Sequence, residues 1–306
     1  MSVLCVVQAR AGSTRLPGKV LTDLAGRPML RFMLDRLAGL AVDHLVVATS
    51  DTPADDPVAA VAGRAGVAVV RGSEHDVLSR YALALGAYPA ELVVRLTGDC
   101  PLADPAIVHD AIALARTTGA DYVSNSLVRT FPDGLDVEVL TADALRAANA
   151  ESADPSEREH VTPFVYRRTS RFTLRALCND QLLGDERWTV DTADDIARVR
   201  EIVAALDDPV HAGWRDILAV AGRAYRPAPG AVHLRPVPHD DASTRAWVVE
   251  VDGADVGTVD LAVVDGVGAA TISVDASRRA EVEASVRTAL LADQQVTDLS
   301  FVGLSP

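Results

Sequence analysis

Lysine is almost missing from this chain. Of its 306 residues 29 are basic and 28 of those are arginine, which leaves Lys19 as the single lysine. An ammonium kept among so many arginines suits a site that needs a compact point charge rather than a planar fork. Cysteine is scarce as well: Cys5, Cys100 and Cys178 are scattered and show no C-x-x-C spacing. They read as reduced thiols, which excludes a disulfide framework and a cysteine zinc site. The seven histidines form no H-E-x-x-H pattern. No apolar run reaches the roughly 18 residues of a membrane span. The first residues carry neither a basic stretch nor a long apolar segment, so the reading is cytoplasmic, with no membrane partner. Positive charge is in deficit too, at a net −14, which argues against a nucleic-acid partner bound through bulk basic surface.

What is present starts early. The apolar run Val3-Leu4-Cys5-Val6-Val7 reads as a buried parallel strand, and Gln8 to Leu21 follows it directly. This loop holds Gly12, Gly18 and Pro17, the hydroxyls of Ser13 and Thr14, and the cations Arg10, Arg15 and Lys19. Glycine-freed amides and converging positive charge at the carboxyl end of a strand predict a phosphate cradle. It is not a Walker A loop. Gly12 and Gly18 stand one residue too far apart, and Val20 occupies the place of the magnesium-binding hydroxyl. G-x-G-x-x-G is absent too. A solvated loop, basic by chance, is the bland alternative.

Strand-like and helix-like stretches then alternate. Helices are predicted over 28–40, 55–64, 76–85 and 105–116, and strands over 45–48, 67–70 and 92–96. Short loops between them imply a doubly wound, mostly parallel sheet with ligands at the carboxyl ends of its strands. Asp136 to Leu140 alternates acidic and apolar residues, which reads as an antiparallel or edge strand. Residues 157–167 read as a helix interrupted near Pro163, 172–177 as a strand, and 193–206 as a helix capped by Asp191 or Thr192. Pro227, Pro229 and Gly230 mark a linker. The predicted organisation is therefore a first domain over 1–225, a linker over 226–231 and a small α+β domain over 232–306. In the last, a hairpin about Asp252-Gly253, a strand near 269–274 and a helix over 278–291 are expected. Both parts are acidic, at −8 before Arg226 and −6 from it onward.

A triphosphate calls for cations on its oxygens, and Arg10, Arg15 and Lys19 with the Ser13 hydroxyl are candidates for that role. Magnesium takes few carboxylates and keeps several waters. Asp99, just past the strand at 92–96, and Asp191, just past a strand expected over Trp188 to Val190, are the candidate metal ligands. An aspartate ahead of a helix is more often only an N-cap.

Five segments in order carry a resemblance. They are Gln8-Ala9-Arg10-x-x-Ser13-x-Arg15-Leu16-Pro17-Gly18-Lys19-Val20-Leu21, Leu96-Thr97-Gly98-Asp99-Cys100-Pro101-Leu102 and Phe131 to Val139. Glu157-Arg158-Glu159-His160-Val161-Thr162-Pro163 and Trp188-Thr189-Val190-Asp191-Thr192 complete the set. Together they resemble the CTP-using cytidylyltransferases that activate sugar acids such as Kdo and sialic acids, and most closely the spore coat polysaccharide biosynthesis protein F branch. The resemblance implies an α/β, Rossmann-like (glycosyltransferase-A-like) nucleotidyltransferase fold, transfer of CMP from CTP with Mg2+, and a homodimer. It assigns Arg10, Ser13, Arg15 and Lys19 to the triphosphate and Asp99 and Asp191 to metal. Gln8, Ala9, Gly12, Thr49, Ser50 and Asp99 complete the nucleotide site, with the base near Ala9, Thr49 and Ser50. Ala9-Arg10 stands where sugar-1-phosphate enzymes have Gly-Gly. On the acceptor side it points to Asp133, Asp136, Glu138, Arg158, Glu159 and His160, with Arg129 as a further cation. Glu138 and Asp136 could equally be the outer face of a strand, and Arg158 and His160 could belong to a solvated helix or a dimer contact. Thr97 and Cys100 replace the Gln and Glu that Kdo-type enzymes carry around Gly-Asp. The C-terminal segment resembles a truncated GNAT fold, but 275–281 lacks that family's glycine-rich CoA loop. Two other readings stand beside the enzyme: a nucleotide or nucleotide-sugar binding module without turnover, and a bifunctional protein with an acyltransferase-like tail.

Overall fold

Val3 to Val7 have no polar side chain to solvate, and all are at most 1% exposed in the computed structural model. The structure describes residues 1–13, 15–179 and 181–222, and beyond these the segments 232–237, 244–251, 254–264, 267–274 and 298–302. It divides into two units, one of 1–124, 133–177 and 187–224, the other of 125–132, 178–186 and 225–306.

In the first unit β1 (Val3–Gln8) leads through a short 3-10 turn (Lys19–Leu21) and a two-residue ribbon, β2 (Asp23–Leu24) and β3 (Arg27–Pro28), into α1 (Met29–Arg36). Then come β4 (His44–Ser50), α2 (Asp56–Arg64), β5 (Ala68–Gly72), α3 (Val77–Ala87), β6 (Leu92–Thr97), α4 (Pro105–Thr118) and β7 (Tyr122–Ser124). The chain resumes in β8 (Glu138–Thr141), α5 (Ala142–Glu151), α6 (Pro155–His160), α7 (Pro163–Tyr166), β9 (Leu174–Ala176), α8 (Ala193–Ala204) and α9 (Trp214–Val220). The sheet order is β5-β4-β1-β6-β8-β7-β9. From β5 to β6 all neighbours are parallel, and β8 then runs antiparallel to both β6 and β7. The chain winds outward from β1 to β4 and β5 and returns to β6 on the other side of β1. That reversal opens a crevice at the carboxyl ends of the central strands, the usual ligand position in such sheets.

Most predicted elements are present with shifted ends. Asp76, Asp104 and Thr192 cap α3, α4 and α8 through their side chains. The antiparallel reading of 136–140 holds, but β8 lies inside the sheet and not at its edge, because a buried ion pair accounts for its acidic residue. The break predicted at Pro163 falls at Val161, whose φ of 73° and ψ of −55° lie where a β-branched residue is strained. Thr162 N–H donates to the His160 carbonyl at 2.9 Å across it, a strained γ-turn. The ribbon β2–β3 and helices α5 and α9 carry no element in the sequence reading.

The second unit contains a five-stranded sheet of β10 (Val232–Val237), β11 (Thr244–Val251), β12 (Ala254–Val264), β13 (Val267–Val274) and β14 (Asp298–Val302), paired in that order. Pairing is antiparallel up to β13, and β13 and β14 are parallel. The predicted hairpin is β11–β12, with a register shift at Val249/Glu250. The helix expected at 278–291 and the loop at 275–281 lie outside the described residues. In the same unit Leu183 N–H donates to the Thr130 carbonyl at 3.0 Å. The Arg129 side chain lies so close to Gly184 that a Cβ there would meet its Cγ at 2.8 Å.

Candidate active site

Loop, turn and strand end meet on one ammonium. Gly18 takes a left-handed φ of 72° that closes the β1 loop and starts the turn carrying Lys19. Lys19 Nζ donates to Asp99 Oδ2 at 3.0 Å, to Asp191 Oδ1 at 2.9 Å and to the Val190 carbonyl at 2.9 Å. Two of these partners are more than 170 positions away in sequence, and backbone bonds explain the convergence. Gly98 N–H donates to the Gln8 carbonyl at 2.8 Å, which binds the β6 end to the β1 end. Val190 N–H donates to the Asp99 carbonyl at 2.8 Å, and Trp188 N–H to the Asp133 carbonyl at 2.6 Å. Two glycines permit these approaches. A Cβ on Gly98 would stand 3.0 Å from that of Ala9, and one on Gly134, whose φ is +111°, would stand 2.6 Å from Thr189 N.

Neither aspartate serves as a helix cap. Asp104 caps α4, and Thr192 with Asp195 forms a capping box on α8. Asp191 is left to cations: Lys19, Arg15 at 3.0 Å and Arg187 at 2.8 Å. Burial alone would push its carboxyl upward, but hydrogen bonds from Lys19 and Arg187 and the charge of Arg15 hold it below the ordinary aspartate value. Two carboxylates and a carbonyl within 3.0 Å of one point form an all-oxygen donor set of the hard kind that suits Mg2+. The residues fit such an ion. Beside them the Cys100 thiol is buried, and burial with the charges of Asp99, Asp136 and Asp133 raises its pKa well above that of an ordinary thiol. It is inert as a nucleophile.

On the other side of β1, Asp55 holds the loop. Its carboxylate accepts from Ala11 N–H at 2.6 Å and Ser50 N–H at 3.0 Å. Thr49 and Ser50 are fully buried at the end of β4, and Ala9 N–H continues the strand onto the Ala48 carbonyl. The cradle predicted from free loop amides is thus partly committed: Ala11 N–H serves Asp55, and Ser13 and Gly18 N–H both serve the Ala11 carbonyl at 2.9 Å. Gly12 packs near Glu74, Ser13 Oγ accepts from Leu16 N–H at 3.3 Å, and Gln8 Oε1 accepts from Tyr81 at 3.4 Å. Arg10 reaches Glu159 at 3.6 Å.

Two acceptor-side assignments need correction. Glu138 is a buried structural counter-ion: it is ion-paired with Arg95, and its Oε1 accepts from Tyr122 and Thr162 at 2.6 Å each. Arg158 is a strut, donating to Asp76 at 2.7 and 2.8 Å and to the carbonyls of Asn149 and Ser152. The charges of Asp133 and Asp136 both act on the Cys100 thiol. Asp133 also accepts from Thr189 at 2.9 Å and Arg187 at 2.6 Å. Glu159 and His160 are exposed at the end of α6. Arg129 belongs to the second unit. Sequence reasoning missed Arg187 and Asp55. Arg187 links Asp133, Asp191 and Asp195, and its place just before the Trp188 to Thr192 motif was the available signal.

A switch-point crevice ringed by cations and two aspartates, on this sheet order, defines an α/β nucleotidyltransferase. The chain belongs to the cytidylyltransferase family, whose profile matches residues 4–201. An uncharacterized protein of Methanocaldococcus jannaschii is 35% identical over 210 residues, 68% of this chain and 85% of that protein. The spore coat polysaccharide biosynthesis protein SpsF of Bacillus subtilis is 32% identical over 208 residues, covering 65% and 85%. The solved structure of a cytidylyltransferase from Leptospira borgpetersenii serovar Hardjo-bovis superposes with a TM-score of 0.70 at 33% identity. That match covers 72% of this chain and 94% of the other.

Proposed function

We propose that this enzyme transfers CMP from CTP to an oxygen of a small acceptor and releases pyrophosphate. The acceptor is a sugar acid or another hydroxylated, phosphonate or phosphate compound. The observation that carries this is the meeting of Lys19, Asp99 and Asp191 at 2.9–3.0 Å in a chain of this family. In the reaction an acceptor oxygen attacks the α-phosphorus, its bond to the oxygen bridging to the β-phosphorus breaks, and the electron pair leaves with pyrophosphate. Arg10, Arg15 and Lys19 orient the triphosphate and neutralise the charge that builds on it. Asp99 and Asp191 are the residues to hold Mg2+, which supplies Lewis-acid stabilisation of the phosphoryl oxygens when bound. Asp133, Asp136, Glu159 and His160 remain the acceptor-side candidates. The SpsF relative is named for polysaccharide biosynthesis, which favours a sugar acceptor.

The test is pyrophosphate release from CTP and Mg2+ across a panel of sugar acids and phosphonates. Release with one class of acceptor names the substrate. No CTP binding, and no release with any acceptor, would refute the reading.

A further inference from the structure

Asp55 is 2% exposed and stands at the N-cap of α2, delivered there by a 3-10 turn over Pro53–Asp55. An aspartate in that position ordinarily accepts from the first amides of its helix. Asp76, Asp104 and Asp154 do so for α3, α4 and α6. Asp55 makes no side-chain bond to α2. Its oxygens are spread over two other segments: Oδ1 accepts from Ala11 N–H at 2.6 Å and Oδ2 from Ser50 N–H at 3.0 Å. Burial alone would push its carboxyl upward, yet the hydrogen bonds from Ala11 and Ser50 hold it below the ordinary aspartate value, so it is a carboxylate at neutral pH. What it grips is the knot of the β1 loop. The Ala11 carbonyl accepts from Ser13 N–H and Gly18 N–H at 2.9 Å each, which closes residues 11–18 into a ring. The Gly18 carbonyl then accepts from Leu21 N–H at 2.8 Å in the turn that carries Lys19. Arg15 lies within the ring and Lys19 one residue beyond it.

We propose that Asp55 is a positioning residue for the triphosphate: it fixes the ring of 11–18 in the shape that presents Arg15 and Lys19, and does not itself touch the ligand. This rests on the reading of CTP as the substrate. Preorganisation is the reason for an aspartate to forgo its cap. A loop with glycines at both 12 and 18 that became ordered only on binding would lose affinity to that ordering. A buried carboxylate that orders it beforehand removes the loss. The opposite role would be a carboxylate that occupies the Ala11 amide in place of a phosphate and leaves when CTP arrives. Its burial and its second bond argue against that, because departure would orphan the Ser50 N–H at the buried end of β4.

Asp55→Ala removes both acceptors, and calorimetric titration of the full chain with CTP and with inorganic tripolyphosphate, each in Mg2+, reads the result. Both affinities should fall about 10–100-fold, the range that one or two charge-assisted hydrogen bonds span. Asp55→Asn, which can serve one amide at a time, should lie between this and wild type. The sign of the change is what discriminates. On charge alone, neutralising an acid favours a bound anion, and Asp56→Asn, at the exposed neighbour, should leave both affinities unchanged or slightly tighter. A residue that only stabilised the fold would lower the melting temperature and leave the affinity of the folded protein as it is. Binding by Asp55→Ala as tight as that of wild type, or tighter, overturns the proposal and leaves the enzyme reading intact. Failure of wild type to bind CTP overturns both. Hydrogen exchange on wild type decides the matter if Asp55→Ala does not fold. The Ala11 and Gly18 amides should exchange at least about 100-fold slower than in an unstructured chain before any ligand is added, and exchange at the unstructured rate overturns the proposal.

Discussion

Two clusters of carboxylate and cation sit on the same sheet, and they differ in where the charges stand along the chain. Glu138 and Arg95 face each other in register inside neighbouring strands β8 and β6. Their surroundings, Tyr122 and Thr162, are fixed side chains that complete the carboxylate. Lys19, Asp99 and Asp191 all stand outside the strands: Asp99 just past β6, Lys19 at the start of the 3-10 turn, and Asp191 just ahead of α8. The first cluster is buried, and its carboxylate is fully engaged. The second is held by one lysine ammonium shared among Asp99, Asp191 and the Val190 carbonyl, and the proposed function has that ammonium exchange its partners for a phosphate. The in-strand pair ties β6 to β8, and the loop-borne cluster is the one to which the proposed function assigns chemistry.

The sharpest break of that contrast is Lys19→Ala. Pyrophosphate release should fall about a thousandfold, the scale of losing one preorganised charge contact, while urea unfolding moves less than for Glu138→Ala, because Asp191 keeps Arg15 and Arg187 as partners. Glu138→Ala should behave in the opposite way. Leaving Arg95 buried and unpaired should cost about 3–5 kcal/mol, read by the same urea titration. Protein that remains folded should turn over at a rate near wild type. A large loss of rate with unchanged stability would return Glu138 to the acceptor site.

Gly134→Ala places a methyl group against Thr189 and Trp188 at a positive φ and should cost about 1–3 kcal/mol. Because that backbone positions Asp191, activity should fall with it. Thr192→Ala removes the side-chain cap of α8 and should cost about 1 kcal/mol, seen as a small drop in melting temperature. The mildest effect is on pH. Asp191 and Asp195 both have folded-state pKa values below the ordinary 3.8. Their stabilising contribution is therefore complete above that value and lost as pH falls through the lowered ones. Melting temperature should hold from neutral pH down to about 4 and then drop, and Asp191→Asn should flatten the drop.

The loop-borne cluster was legible in the sequence and the in-strand one was not. Lys19 stands out by rarity and Asp99 follows a short apolar strand, whereas the strand expected over Trp188–Val190 ahead of Asp191 is absent, and Val190 N–H reaches the Asp99 carbonyl from a loop. Glu138 looked the same as they did, because an acid in an alternating strand reads as solvent-facing until its partner on another strand is known. Arg158 was misread for a similar reason: its partner Asp76 lies 82 positions away. Asp55 and Arg80 are common residue types within helical patterns, and only the fold shows that one holds the β1 loop and that the other has no hydrogen-bond partner among the described residues. Helices α5 and α9 were missed because one is alanine-rich with little apolar contrast and the other is short.

The solitary lysine has a practical consequence. An amine-selective reagent, or a protease that cuts after lysine, meets one internal target in the whole protein, and that target is 11% exposed between two carboxylates. Labelling at Lys19 is therefore a direct clock for how often the cluster opens. Any ligand that closes or occupies it registers as protection of a single peptide.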